Sequence, residues 1–131
     1  MQSFAAFILA HEDFARSLKS TVEKIMGPQD HIFAYSNKIE SLPVLLEKIV
    51  RQIEMLKQNN IFIFVDLIGG SCWSLANMIA KQQENLVIIG GVNLPMIVSL
   101  VINHDKLEKE KLVDKILEDS KKGIKLLQRN H

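Results

Sequence analysis

Ile61-Phe62-Ile63-Phe64-Val65-Asp66 is the stretch on which the fold turns. Its five apolar residues, alternately β-branched and aromatic, form the clearest strand in the chain, and the strand stops on a carboxylate. Asn59-Asn60 punctuates it on one side. On the other, Gly69-Gly70-Ser71 leads into a helix expected from about Cys72 to Gln83.

The same alternation extends in both directions. Upstream, Ser3 to Leu9 is an apolar run suited to a strand buried on both faces. Phe14, Leu18, Val22 and Ile25 then recur at helical spacing, and Gly27-Pro28 closes that helix. His31 to Tyr35 predicts a second strand. From Ser41, a suitable N-cap, Leu45, Leu46, Ile49, Val50, Ile53 and Leu56 mark a second helix. Downstream, Leu86 to Ile89 predicts a fourth strand, followed by a turn over Gly90 to Pro95 and a short helix to Val101. Leu107, Leu112, Val113, Ile116 and Leu117 mark a last amphipathic helix that Gly123 stops, and Ile124 to Leu127 is a short apolar tail. Four strands alternating with helices predict an α/β domain with a doubly wound, mainly parallel sheet in the order 2-1-3-4 and helices on both faces.

The 131 residues fit one domain, 1–131, and 47% hydrophobic with 24% charged residues is globular composition. Sixteen Lys+Arg against fifteen Asp+Glu give a net charge of +1, without the basic excess of a nucleic-acid binder. The one cysteine, Cys72, forms no internal disulfide, in keeping with a reducing, cytoplasmic setting. The apolar N-terminus lacks a basic leader segment, and Leu86 to Ile102 is too interrupted for a spanning helix. His31 and His104 have no partners at metal-ligand spacing and His131 is terminal, so neither a metal nor a cofactor is expected.

In open α/β sheets ligands bind at the carboxyl ends of the strands, where the strand order reverses. His11 follows the first strand and Asp66 the third. With strands 1 and 3 adjacent, the two meet at the crevice. A carboxylate that accepts one imidazole N–H fixes the tautomer and leaves the other nitrogen nucleophilic. Gly69, Gly70 and Ser71 open the next helix, whose N-terminus suits a phosphoryl group. Asn93, after the fourth strand, is a candidate site-shaping residue. A histidine nucleophile, an orienting carboxylate and an anion cradle point to phosphoryl transfer through phosphohistidine, without a nucleotide.

His11, Phe64-Val65-Asp66-Leu67-Ile68-Gly69-Gly70-Ser71 and Gly91-Val92-Asn93-Leu94-Pro95-Met96 resemble the mannose-family IIA component of the bacterial phosphoenolpyruvate:sugar phosphotransferase system. The resemblance covers almost the whole chain. It implies that His11 accepts a phosphoryl group from the carrier protein HPr and passes it to a IIB component, that Asp66 orients His11, and that Gly70 and Ser71 contact the phosphoryl oxygens. It implies a homodimer in which a C-terminal strand, here Ile124 to Leu127, is swapped into the partner's sheet. Membrane permease subunits take part only indirectly, and no metal is used. IIA can be fused to IIB in this family, and a chain of this length is expected to be a stand-alone carrier. Three positions depart from the family pattern: Glu12 stands where Gly is common, Cys72 where Pro is usual, and Ser74 where Asn is common.

Other readings compete. Glu12, Asp13 and Asp66 mimic the acidic pocket of a response-regulator receiver, but the Ser or Thr that such a protein needs after its fourth strand is missing. The phosphotransfer subunit of dihydroxyacetone kinase is similar in fold and also uses an N-terminal histidine. A non-catalytic dimeric regulatory module of the same fold would accommodate the three departures. Cys72, in the first turn of its helix, is either a low-pKa thiol or a small structural residue. Trp73 is either a partner-facing anchor or packed on a neighbouring helix.

Overall fold

The computed structural model describes residues 4–130, so Ser3 of the expected first strand and His131 lie outside it. The elements run β1 (Ala5–Ala10), α1 (Phe14–Met26), β2 (Ile32–Ser36), α2 (Leu42–Leu56), β3 (Ile61–Val65), α3 (Ser71–Gln82), β4 (Leu86–Gly90), α4 (Leu94–Asn103) and α5 (Lys109–Lys122). The four strands form one parallel sheet in the order β2-β1-β3-β4, as the alternation predicts.

β1 and β3 occupy the centre and are buried along their whole length. Successive side chains of a strand point to opposite faces, so each central strand feeds two cores. Ala6, Ile8, Ala10, Phe62 and Phe64 pack with α1, α4 and α5. Phe7, Leu9, Ile63 and Val65 pack with α2 and α3. An unbroken apolar run is therefore what a central strand between two helical layers requires. Parallel pairing places all four carboxyl ends on one edge, and Asp66 N–H continues the ladder to Leu9 C=O beside His11.

One expectation about a helix face changes. α1 buries Ala15, Leu18 and Val22, whereas Phe14 and Ile25 are exposed. The small Ala15 lets the helix lie close to the sheet, which turns the buried face away from both larger residues. Gly123 stops α5 as expected, and it does so in right-handed backbone. Its distinction is proximity, since a Cβ there would lie 2.5 Å from Pro95 Cγ. Ser41 stands at the N-cap position of α2 but makes no capping hydrogen bond through its side chain.

Residues 124–130 follow α5 without regular structure, and Ile124, Leu126 and Leu127 are exposed. β4 is an edge strand on that side of the sheet order. Among the described residues, no helix is long and apolar enough to cross a membrane.

Candidate phosphoryl-acceptor site

β1 delivers His11 to the carboxyl edge of the sheet, and β3 delivers Asp66 beside it. One carboxylate oxygen, Asp66 Oδ2, lies 2.8 Å from the backbone nitrogen of His11 and 2.8 Å from its Nδ1. A carboxylate is an acceptor only, so Nδ1 carries the proton and Nε2 keeps its lone pair. The His11 side chain is 43% exposed and that of Asp66 only 16%. The imidazole faces outward and the carboxylate sits beneath it.

The two glycines of the following loop do different things. Gly69 has φ +90, in the left-handed region that L side chains rarely adopt. Gly70 has an ordinary φ of −86 but lies against the imidazole, and a Cβ there would sit 3.3 Å from His11 Cε1. Gly70 is also the N-cap of α3, so the positive end of that helix is presented to the histidine. Ser71 Oγ lies 3.4 Å from Nε2, and Asn37 Nδ2 donates to the same Oγ at 2.8 Å. His11, Asp66, Gly70 and Ser71 thus come together as the sequence suggests.

Asn93 acts elsewhere. Its Oδ1 accepts from Met96 N–H at 2.9 Å and caps α4, and its Nδ2 reaches Ser120 C=O at 3.5 Å. Neither bond extends to His11, so Asn93 joins α4 to α5 rather than shaping the site directly. Asn37 is the residue sequence reasoning misses. A polar residue in the turn after an edge strand carries no local signal of its role.

The departures at Glu12 and Cys72 take on physical content. Glu12 has φ +51, a left-handed conformation natural to glycine, and its carbonyl accepts from Ser36 Oγ at 2.6 Å. Glu12 and Asp13 are both exposed, and Lys38 Nζ lies 3.5 Å from Asp13 Oδ2. Cys72 is buried, and its thiol is pushed up to about 11, first by burial and then by the negative charge of Asp66. It is therefore a protonated packing residue at neutral pH and not an activated thiol. Trp73 is half-buried and packs over Gly90 beside Ile68, which makes it part of the α3–β4 contact.

His11, Asp66 and Cys72 also bring three metal-ligating atoms within 4.8 Å of one another. Nδ1 is already engaged by Asp66, the thiol is protonated at neutral pH, and the adjoining helix terminus presents positive charge. A groove lined by Tyr35, Val44, Lys48, Arg51 and Met55 lies along β2 and α2 and includes none of these residues. The half-exposed His11 lies open at the sheet edge.

A doubly wound parallel sheet that holds a histidine against a carboxylate beside a helix N-terminus belongs to the class of open α/β proteins whose ligand sites lie at the carboxyl ends of the strands. The family follows from comparison. Residues 6–117 match the family model described as the fructose IIA component of the phosphotransferase system, and the chain belongs to that family of sugar phosphotransferase-system components. The mannose-specific EIIAB component of Escherichia coli strain K12 is 30% identical over 129 residues, covering 95% of this chain and 40% of that protein. The chain thus spans well under half the length of that relative. The fructose-specific EIIA component of Bacillus subtilis strain 168 is 23% identical over 114 residues, 86% of this chain and 78% of its own. In fold, the crystal structure of the phosphotransferase component EIIA from Streptococcus agalactiae superposes with a TM-score of 0.83 at 24% identity, covering 93% of this chain and 95% of that one.

Proposed function

We propose that the protein is a cytoplasmic phosphocarrier in which His11 Nε2 accepts a phosphoryl group from the phosphohistidine of HPr and hands it to a histidine on a IIB component. The observation that carries this reading is the 2.8 Å contact between Asp66 Oδ2 and His11 Nδ1, which leaves Nε2 as the free nucleophile. In the step, the Nε2–P bond forms as the carrier's N–P bond breaks, and the carrier nitrogen leaves with the electron pair. His11 keeps its Nδ1 proton, and the positive charge developing on the ring is met by the Asp66 carboxylate. The helix terminus at Gly70 and the Ser71 hydroxyl face the phosphoryl oxygens. Every step joins two proteins, and the membrane permease subunits meet the phosphoryl group only after IIB.

The test is incubation with phosphoenolpyruvate, enzyme I and HPr, followed by intact-mass measurement. One added phosphoryl group, lost in His11→Ala, is the expected result. No gain of mass with a competent carrier set overturns the reading.

The working unit is proposed to be a homodimer. The apolar tail is almost fully exposed, with Leu127 at 91%, and β4 is an edge strand that such a segment in a second copy can extend.

A further inference from the structure

From the hydrogen bonds around Ser71 we infer that Asn37 is a positioning residue: its side-chain amide aims the Ser71 hydroxyl at the reacting nitrogen of His11. Neither residue alone achieves this. A serine hydroxyl rotates freely and has one proton and two acceptor lone pairs. Asn37 Nδ2, 2.8 Å away, occupies a lone pair of Ser71 Oγ, and Oγ lies 3.4 Å from Nε2. The direction of these bonds follows from the other end of the chain. Asp66 can only accept, so Nδ1 donates to it and Nε2 presents a lone pair. Across that 3.4 Å contact the pairing that works has Ser71 supplying its proton to Nε2, and its oxygen then accepts from a donor behind it. The amide nitrogen of Asn37 is that donor. With the amide reversed, Ser71 would give its proton to Asn37 and turn a lone pair onto a lone pair.

Asn37, Ser71, His11 and Asp66 thus form one directed relay of donors. When Nε2 spends that lone pair on the bond to phosphorus, the O–H gives it up and turns to a neighbouring phosphoryl oxygen, with the Asn37 amide still holding the Ser71 oxygen. The loop that holds Asn37 is itself fixed to the histidine turn. Asn37 N–H reaches Ala10 C=O at 3.4 Å, and Ser36 Oγ donates to Glu12 C=O at 2.6 Å. These bonds do not involve the Asn37 side chain, so truncating it leaves the loop anchored.

The kinetic consequence rests on the phosphocarrier reading, whereas the geometry does not. Asn37→Ala, Asn37→Asp and Ser71→Ala are compared with the Asn37→Ala/Ser71→Ala double variant. Asn37→Ala is expected to slow phosphoryl acceptance from phospho-HPr by about three- to tenfold, the size of one neutral hydrogen bond. Asn37→Asp is expected to be slower still, because a carboxylate takes the Ser71 proton and adds repulsion toward the incoming phosphoryl group. In the Ser71→Ala background the alanine at 37 should add no further loss. The 15N resonance of His11 Nε2 in the neutral ring, which needs no carrier proteins, should shift in Asn37→Ala toward its value in Ser71→Ala, and no further in the double variant. An Nε2 resonance unmoved by Asn37→Ala, or moved as much without Ser71 as with it, overturns the inference. If the unmutated protein accepts no phosphoryl group, the proposed function falls, while the nitrogen spectra still decide whether Asn37 acts through Ser71.

Discussion

A single oxygen of Asp66 holds His11 at two points, through the backbone nitrogen and through Nδ1, each at 2.8 Å. The first bond fixes where the residue begins and the second fixes how its ring is turned. Asp66→Asn keeps the shape but removes the charge. A charge-assisted hydrogen bond contributes about 1.5–3 kcal/mol, so phosphoryl acceptance is expected to fall by about 10- to 100-fold with the fold retained. Rapid-quench measurement of phosphoprotein formation, with circular dichroism as the folding control, checks this. An unchanged rate would show that the carboxylate charge is irrelevant to transfer.

Gly69 and Gly70 should fail in different ways when replaced by alanine. At Gly69 the strain is in the backbone and the space is open, so Gly69→Ala is expected to lower stability by about 1 kcal/mol. At Gly70 the backbone accepts alanine, but the new methyl presses on the imidazole. Gly70→Ala should slow phosphoryl acceptance several-fold, beyond the modest loss of stability that alanine in place of an N-cap glycine brings. Thermal melts paired with transfer rates separate the two, and identical profiles for both variants would contradict this division.

Glu12→Gly should stabilise the protein. The left-handed backbone at Glu12 costs about 1 kcal/mol for a residue with a Cβ, and glycine removes that cost. A rise of a few degrees in Tm is expected, reduced in part by the greater freedom of glycine in the unfolded chain. A lowered Tm would mean that the Glu12 side chain contributes more than its backbone costs.

Cys72 gives a pH dependence whose sign follows from the shift. Its thiol titrates near 11 in the folded protein and nearer the ordinary value when unfolded. Stability from this group is therefore fully present below about pH 8.5 and is lost as pH rises toward 11, because the unfolded chain gives up the proton first. Denaturant titrations between pH 7 and 11 should show a decline of at most about 1.4 kcal/mol per pH unit that Cys72→Ser removes. Alkylation of native protein at pH 7.5 should be slow, and rapid labelling would refute the buried, protonated thiol.

Truncation after Gly123 tests the proposed dimer. Sedimentation should show a dimer for the full chain and a monomer for the shortened one, with phosphorylation of His11 by phospho-HPr still measurable in both. A shortened chain that sediments as a dimer would remove the tail from the interface.

The sequence discloses most where a physical constraint repeats along the chain. Ile61–Val65 reads as a strand to the residue because a central position demands apolar side chains on both faces. His11 and Asp66 are legible because a parallel sheet brings the ends of neighbouring strands together. Constraints set by a distant surface are hidden. Phe14 looks like a core residue until the small Ala15 is seen to set the face of α1. The left-handed backbone at Glu12 is hinted at only by the glycine that the resembled family has there, and Gly123 gives no sign of the proline ring above it. Asn37 is silent because its meaning lies in a hydroxyl 34 positions away.

The contacts of the site join residues 55, 60 and 34 positions apart. No short segment contains the site, and a growing chain lacks it until β3 and the first turn of α3 have been added. Early termination, or failure to seat β3 against β1, yields a polypeptide with a histidine but without its clamp or its cradle. Under the proposed function, competence to carry phosphate is thus a property of the finished tertiary structure, and incomplete copies would not draw phosphoryl groups away from their carriers.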